Sequence, residues 1–121
     1  MTSRTEPLST ATTEAEPWGT GCYAWRLIQS PDLAVAEEEM PPGSSEVAHH
    51  HRHARQVFYV LSGTLTMEVA DATHDLAPGQ AIDVAPGVVH RACNPWAEAV
   101  RFLVISTPTT LGDRVAAAEP A

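Results

Sequence analysis

Gly43-Ser-Ser-Glu-Val-Ala-His49-His50-His51-Arg-His53-Ala-Arg-Gln56-Val-Phe-Tyr-Val-Leu-Ser-Gly63 is the stretch on which the fold turns. Side chains on a β-strand alternate between two faces. His49 and His51 therefore point one way and His50 the other. Two imidazoles two positions apart on an inward face can chelate one ion, and a third ligand then has to arrive from another strand. Gln56 opens a run in which Gln56, Phe58 and Val60 share a face, giving a polar end and an apolar floor. Tyr59 is out of phase with them and is expected to face away. His53 is expected beside the ligand set rather than in it.

On both sides of this stretch the chain breaks into short extended runs. Residues 23–28 and 33–40 precede it. Residues 65–69, 74–77, 81–84, 88–92 and 100–106 follow. Turn signals separate them: Pro41-Pro42-Gly43, Gly63-Thr64, Pro78-Gly79, Pro86-Gly87 and Asn94-Pro95. Many short strands at such spacing indicate an all-β sandwich or barrel. Closure into a barrel removes the edges that so many strands would otherwise expose. No stretch carries amphipathic helical periodicity of useful length. His90, just beyond Pro86-Gly87, is the natural third ligand. His74 follows a turn and is expected to face solvent.

The composition fits one domain around one core: 121 residues, 44% hydrophobic and 18% charged. A formal net charge of −8 argues against nucleic acid as a partner, because phosphate backbones need a basic patch. The N-terminus lacks an apolar signal-like run and no segment is long enough to span a bilayer. The expectation is a cytoplasmic protein with no membrane partner. Two cysteines, Cys22 and Cys93, make a poor disulfide framework, and free thiols are the default. A bridge between them stays open. Cys93 reads as a small buried residue.

Residues 1–17 are rich in Thr, Ser, Glu and Pro and read as a flexible N-terminal arm. The body of the domain is placed at 18–110. Residues 111–121 read as a tail, either a short helix or mobile. Arg26 is opposite in phase to Trp25, and an inward Arg26 would suit a carboxylate or phenolate. Glu37 and Glu39 share a face, as a paired acid–base site or a solvated edge. Leu103 and Ile105 offer a face to a second sheet or another subunit.

Two groups of residues also resemble the motifs of the cupin superfamily. The first is Gly43, five residues, His49, one residue, His51, four residues, Gln56, six residues, Gly63. The second is Gly79, then Ala85-Pro86-Gly87, two residues, His90, three residues, Asn94. The sequence departs from the pattern at Gln56, where glutamate is usual, and at Ala85, where proline is usual. The resemblance implies a double-stranded β-helix, the jelly roll or cupin barrel, assembled as a homodimer. It implies His49, His51 and His90 as ligands to one divalent metal ion per chain, with Gln56 at the fourth position. Imidazole ligands admit Zn, Fe, Ni or Mn. The same three-His-plus-Gln set resembles small cupins acting on unsaturated uronate sugars, and some polyketide cyclases share the compact form.

A neutral ligand set leaves the ion's charge uncompensated, which favours acidifying water or stabilising an enolate. The expected function is a metal-dependent enzyme acting on a small oxygenated organic substrate by Lewis-acid isomerisation, cyclisation or lyase chemistry, with Gln56 and Arg26 as catalytic candidates. An iron-dependent dioxygenase and a non-catalytic metal-stabilised binding module are the alternatives.

Overall fold

The computed structural model describes residues 6–117. Most of these residues lie in twelve strands: β1 (Ala15–Trp18), β2 (Cys22–Gln29), β3 (Ala34–Met40), β4 (Ser44–Ser45), β5 (His49–His51), β6 (Arg55–Ser62), β7 (Leu65–Val69), β8 (Ala72–Leu76), β9 (Ala81–Val84), β10 (His90–Asn94), β11 (Val100–Thr107) and β12 (Arg114–Ala116). They form two sheets, β1-β2-β3-β11-β6-β9 and β12-β5-β10-β7-β8, with β4 pairing on β10. Neighbouring strands in both sheets pair antiparallel. This is the all-β double-stranded β-helix expected from the sequence.

Alternation along each strand decides what lies between the sheets. On β11, Val100, Phe102, Val104 and Ser106 are buried while Arg101, Leu103 and Ile105 are partly exposed. β6 follows the same rule, with Gln56, Phe58 and Val60 inward and Tyr59 outward. Met40, Val60, Leu65, Met67, Val100 and Phe102 are fully buried and form the apolar floor. At roughly 1.5–3 kcal/mol per buried large side chain, this floor is the main source of stability. The turn between β6 and β7 places Gly63 at φ 77°, and a Cβ there would press on the Ala99 carbonyl and lie 2.9 Å from Val100 Cα. Only glycine fits.

Two boundaries differ from the sequence expectation. Ala15–Pro17, assigned to the flexible arm, instead pairs with β2, in register Ala15 to Trp25 and Pro17 to Tyr23. Arg114–Ala116, assigned to the tail, pairs with β5, Arg114 opposite His51. Neither segment has a strong strand signature of its own. The first is ordered as a hairpin with the next strand, closing at Trp18 and Cys22, and the second by a partner strand about sixty positions away. The arm's first five residues and the tail's last four lie outside the described residues. Asp113 reinforces the second pairing: its carboxylate accepts the backbone N–H groups of Arg52, His53 and Ala54 at 2.9–3.2 Å. That grip holds the loop linking β5 to β6. No helix among the described residues is long and apolar enough to cross a membrane.

Candidate metal centre

β5 and β10 pair through His49 and His90, so the antiparallel register itself brings the distant histidine to the first pair. His49, His51 and His90 are all buried, and their candidate ligand atoms lie within 4.8 Å of one another. The imidazole centroids are 4.4 Å apart for His49 and His90 and 4.9 Å for His49 and His51. Gln56 reaches in from the opposite sheet, its Oε1 3.0 Å from His90 Nε2.

The hydrogen bonds around the rings fix which atoms face inward. His49 Nδ1 lies 2.9 Å from the Val47 carbonyl and His90 Nδ1 lies 2.9 Å from the Val88 carbonyl. A carbonyl only accepts, so His90 Nδ1 carries the proton and its Nε2 presents a lone pair. His49 Nδ1 also has Arg114 Nη2 at 3.3 Å, and the shorter contact to the Val47 carbonyl assigns it the same tautomer. Gln56 Nε2 donates to Ser106 Oγ at 3.1 Å, which turns its carbonyl oxygen toward His90. Two acceptors therefore face each other at 3.0 Å, an arrangement that calls for a cation between them. A proton is a poor candidate. Burial is the largest cause holding His49 and His51 down to about 4, with the neighbouring His90 adding to it, and burial also lowers His90. His51 Nδ1 is buried with no hydrogen-bond partner among the described residues. Three neutral imidazoles, one amide oxygen and an orphaned buried nitrogen fit a divalent metal ion.

A cavity of about 230 Å³ lies against this cluster. His49, Gln56 and Phe58 line it on the metal side. Trp18, Arg26, Glu38 and Glu46 line the remainder, with Thr110 and Arg114 at the edge. A wider space, lined in part by Glu16, Arg26, Thr110, Arg114 and His51, shares its rim. Arg26 thus lines the cavity, with its Nε donating to Glu16 at 2.5 Å.

Glu38 escaped the sequence reading. It lies in Glu37-Glu38-Glu39, where the outer two drew attention. Those two face outward and hold Arg101, whose guanidinium stacks 4.5 Å from the Trp25 ring centroid. Glu38 shares its face with buried Ala36 and Met40, and that apolar period of two was the available signal. Burial, with Glu46 adding repulsion, pushes the Glu38 carboxyl up to about 8. Burial pushes Glu46 up to about 7, against the pull of the Ala92 N–H. Trp18, Glu46 and Arg114 were also missed, because no local pattern marks them. His53 and His74 are exposed and stand apart from the cluster.

Comparison with known proteins agrees with this architecture. The family described as Cupin domain matches residues 36–106. Mannose-1-phosphate guanylyltransferase RfbM of Salmonella typhimurium is 28% identical over 98 residues, which cover 80% of this chain and 20% of that protein. The chain therefore spans about a fifth of that relative's length. The RmlC-like cupin of Shewanella frigidimarina superposes with a TM-score of 0.77 at 27% identity, covering 87% of this chain and 93% of that one. The polyketide cyclase RemF of Streptomyces resistomycificus superposes with a TM-score of 0.76 at 23% identity, covering 88% and 81%.

Proposed function

We propose, from the premise that this chain belongs to the cupin family, that it is a metal-dependent enzyme performing isomerisation, cyclisation or lyase chemistry on a small oxygenated organic substrate. The observation that carries this reading is the pair of facing acceptors, His90 Nε2 and Gln56 Oε1, beside His49 and His51. His49, His51, His90 and Gln56 would hold one Zn, Fe, Ni or Mn ion. When bound, such an ion acts as a Lewis acid that stabilises negative charge on a substrate oxygen.

The chain's own residues supply the rest. Ser106 fixes the Gln56 amide so that oxygen, not nitrogen, faces the centre. Phe58 and Val104 give the cavity an apolar surface against which a substrate's carbon skeleton can pack. Glu38 lies where it can take and return a proton, and its raised pKa suits that role near neutral pH. Arg26 orients the substrate at the rim. RemF's name, polyketide cyclase, is in keeping with proton-transfer chemistry in this fold.

The homodimer belongs to the same reading. Tyr23, Ile28, Tyr59 and Leu61 are exposed on the larger sheet, beside the outward Leu103 and Ile105, and a second copy would cover them. Free thiols at Cys22 and Cys93 support the cytoplasm as the compartment.

Elemental analysis of protein purified without a metal-affinity tag tests the central point, paired with a His49→Ala, His51→Ala variant. One metal per chain, lost in the variant, is the expected result. Bound iron together with oxygen-dependent turnover would replace Lewis-acid chemistry with dioxygenase chemistry. No metal in either protein, even after reconstitution, would overturn the proposal.

A further inference from the structure

Beyond the metal centre, two polar groups of the cavity make no hydrogen bond among the described residues. Trp18 Nε1 is buried without one. Glu38 makes none among the described residues, although it lines the same cavity. A buried donor left without an acceptor is rare in folded proteins, which usually satisfy such groups with protein, water or ligand. An indole N–H can only donate, so the missing partner of Trp18 presents an acceptor oxygen.

Two cations frame the same space. Arg26 comes from β2 in one sheet and Arg114 from β12 in the other, and both line the inner cavity and its outer rim. Arg26 uses only Nε in its bond to Glu16, and Arg114 uses Nη2 toward the Val47 carbonyl at 3.3 Å and near His49 Nδ1. Donors remain on both guanidinium groups among the described residues. The acidic groups facing them are Glu16, Glu38 and Glu46. Burial holds the last two toward their neutral forms, so they repel an anion less than their number suggests.

We infer that this half of the cavity is a carboxylate subsite, made for a small carboxylic acid bearing a neighbouring carbonyl or hydroxyl group. The carboxylate lies between Arg26 and Arg114 and accepts the Trp18 N–H. The neighbouring oxygen turns toward the histidine end, and Glu38 faces the carbon between. This rests on the functional reading above for the role of the histidine end, but not for the grip on the carboxylate. A guanidinium–carboxylate bond is charge-assisted and stronger than a neutral one.

The probe is pyruvate, with uncharged hydroxyacetone as its control, titrated calorimetrically into the full chain both free of metal and loaded with zinc. Zinc content is measured in parallel. Pyruvate is expected to bind both forms and hydroxyacetone at least about tenfold more weakly. Arg26→Gln weakens pyruvate by about tenfold and Trp18→Phe by roughly threefold. Arg55→Gln, which breaks only the surface pair with Asp83, leaves binding unchanged. Trp18→Phe removes the N–H together with part of a ring that packs on the core, so it is read as the loss of pyruvate relative to hydroxyacetone, which tests the subsite even if Arg26→Gln disturbs the edge of the barrel. Equal binding of the two probes, no pyruvate binding to either form, or pyruvate binding indifferent to both variants overturns the subsite. Zinc bound without such discrimination sinks the subsite and leaves the metal centre standing. Arg26-dependent pyruvate binding by a chain that takes up no zinc does the reverse.

Discussion

The two sheets that face each other across the cavity contribute opposite chemistry. The smaller sheet brings His49, His51 and His90 together, three rings that burial keeps neutral and that present lone pairs. The larger brings Trp18, Arg26 and Glu38, which present donors and a carboxyl that burial keeps protonated. Gln56 belongs to the larger sheet yet turns its oxygen toward His90. A substrate that bridges a metal ion held by the histidines and the donors of the opposite wall would use both chemistries.

The largest effect that would sharpen this contrast comes from His49→Ala with His51→Ala. Removing two of three imidazoles is expected to lower metal affinity by more than about a hundredfold, read as metal per chain after dialysis. The carboxylate grip, to which Trp18 and Arg26 come from the larger sheet and Arg114 from the smaller one, should survive in the metal-free form. If carboxylate binding disappears with the histidines, the two walls are one unit and the contrast is false.

Glu38→Gln is the converse. Positioned acids and bases contribute typically 10²–10⁴-fold to rate, so turnover should fall by about that factor once a substrate is found. Metal content should stay at the level of the unaltered chain. The same change should make the metal-free protein more stable at pH 8, by about 1–2 kcal/mol, because it removes a carboxyl that burial disfavours in its charged form. Chemical denaturation at pH 5 and pH 8 checks this. A variant less stable than its parent at pH 8 would mean that Glu38 is held by contacts the cavity does not reveal.

The histidines and the two buried carboxyls of the cavity should also titrate in opposite senses in the metal-free chain. His49 and His51 fall from an ordinary 6.5 to about 4. Between those values the unfolded chain holds more protons than the folded one, so stability declines as pH drops from 6.5 toward 4. Glu38 and Glu46 rise from an ordinary 4.5 to about 8 and about 7. There the folded chain holds more protons, so their contribution declines as pH rises from 4.5 toward 8. Between pH 6.5 and about 8 the carboxyl effect dominates. At higher pH burial of the Cys93 thiol, pushed up to about 11, acts in the same sense. Melting temperature measured against pH should therefore fall on the alkaline side, and Glu38→Gln should flatten that arm while leaving the acid arm in place.

The histidine wall was legible in the sequence because its information is local. His49 and His51 share a strand, their spacing states their common face, and the turn before His90 starts the strand that pairs with them. The rest of the cavity was largely illegible. Trp18 reaches the cavity because β1 pairs with β2, and Arg114 reaches its rim because β12 pairs with β5. Nothing in either short segment announces its partner, and both were assigned to loose ends. Asp113 joins the tail to the loop after His51 by accepting three backbone N–H groups, a contact between residues about sixty positions apart. Glu38 is a different kind of omission. Its phase was readable from Ala36 and Met40, but a run of three glutamates looks like a solvated edge until the register with β2 and β11 is known.

Gln56→Glu is the smallest change and the one that tests whether the walls act on each other. The geometry barely alters, since the side chains are nearly isosteric and Ser106 Oγ can donate to a carboxylate as it accepts from the amide. The charge at the ion falls by one. Metal binding should be retained or strengthened, because an anionic oxygen is a better ligand for a divalent cation. The Lewis acidity that polarises a substrate oxygen should weaken, and turnover should change by about tenfold or less, with its pH profile displaced. A carboxylate at position 56 also faces the same cavity as Glu38, and like charges disfavour each other's ionisation. The alkaline limb attributed to Glu38 should then move to higher pH. Activity unchanged over the full pH range would mean that Gln56 is a packing residue, and that the amide at this position carries no electronic role.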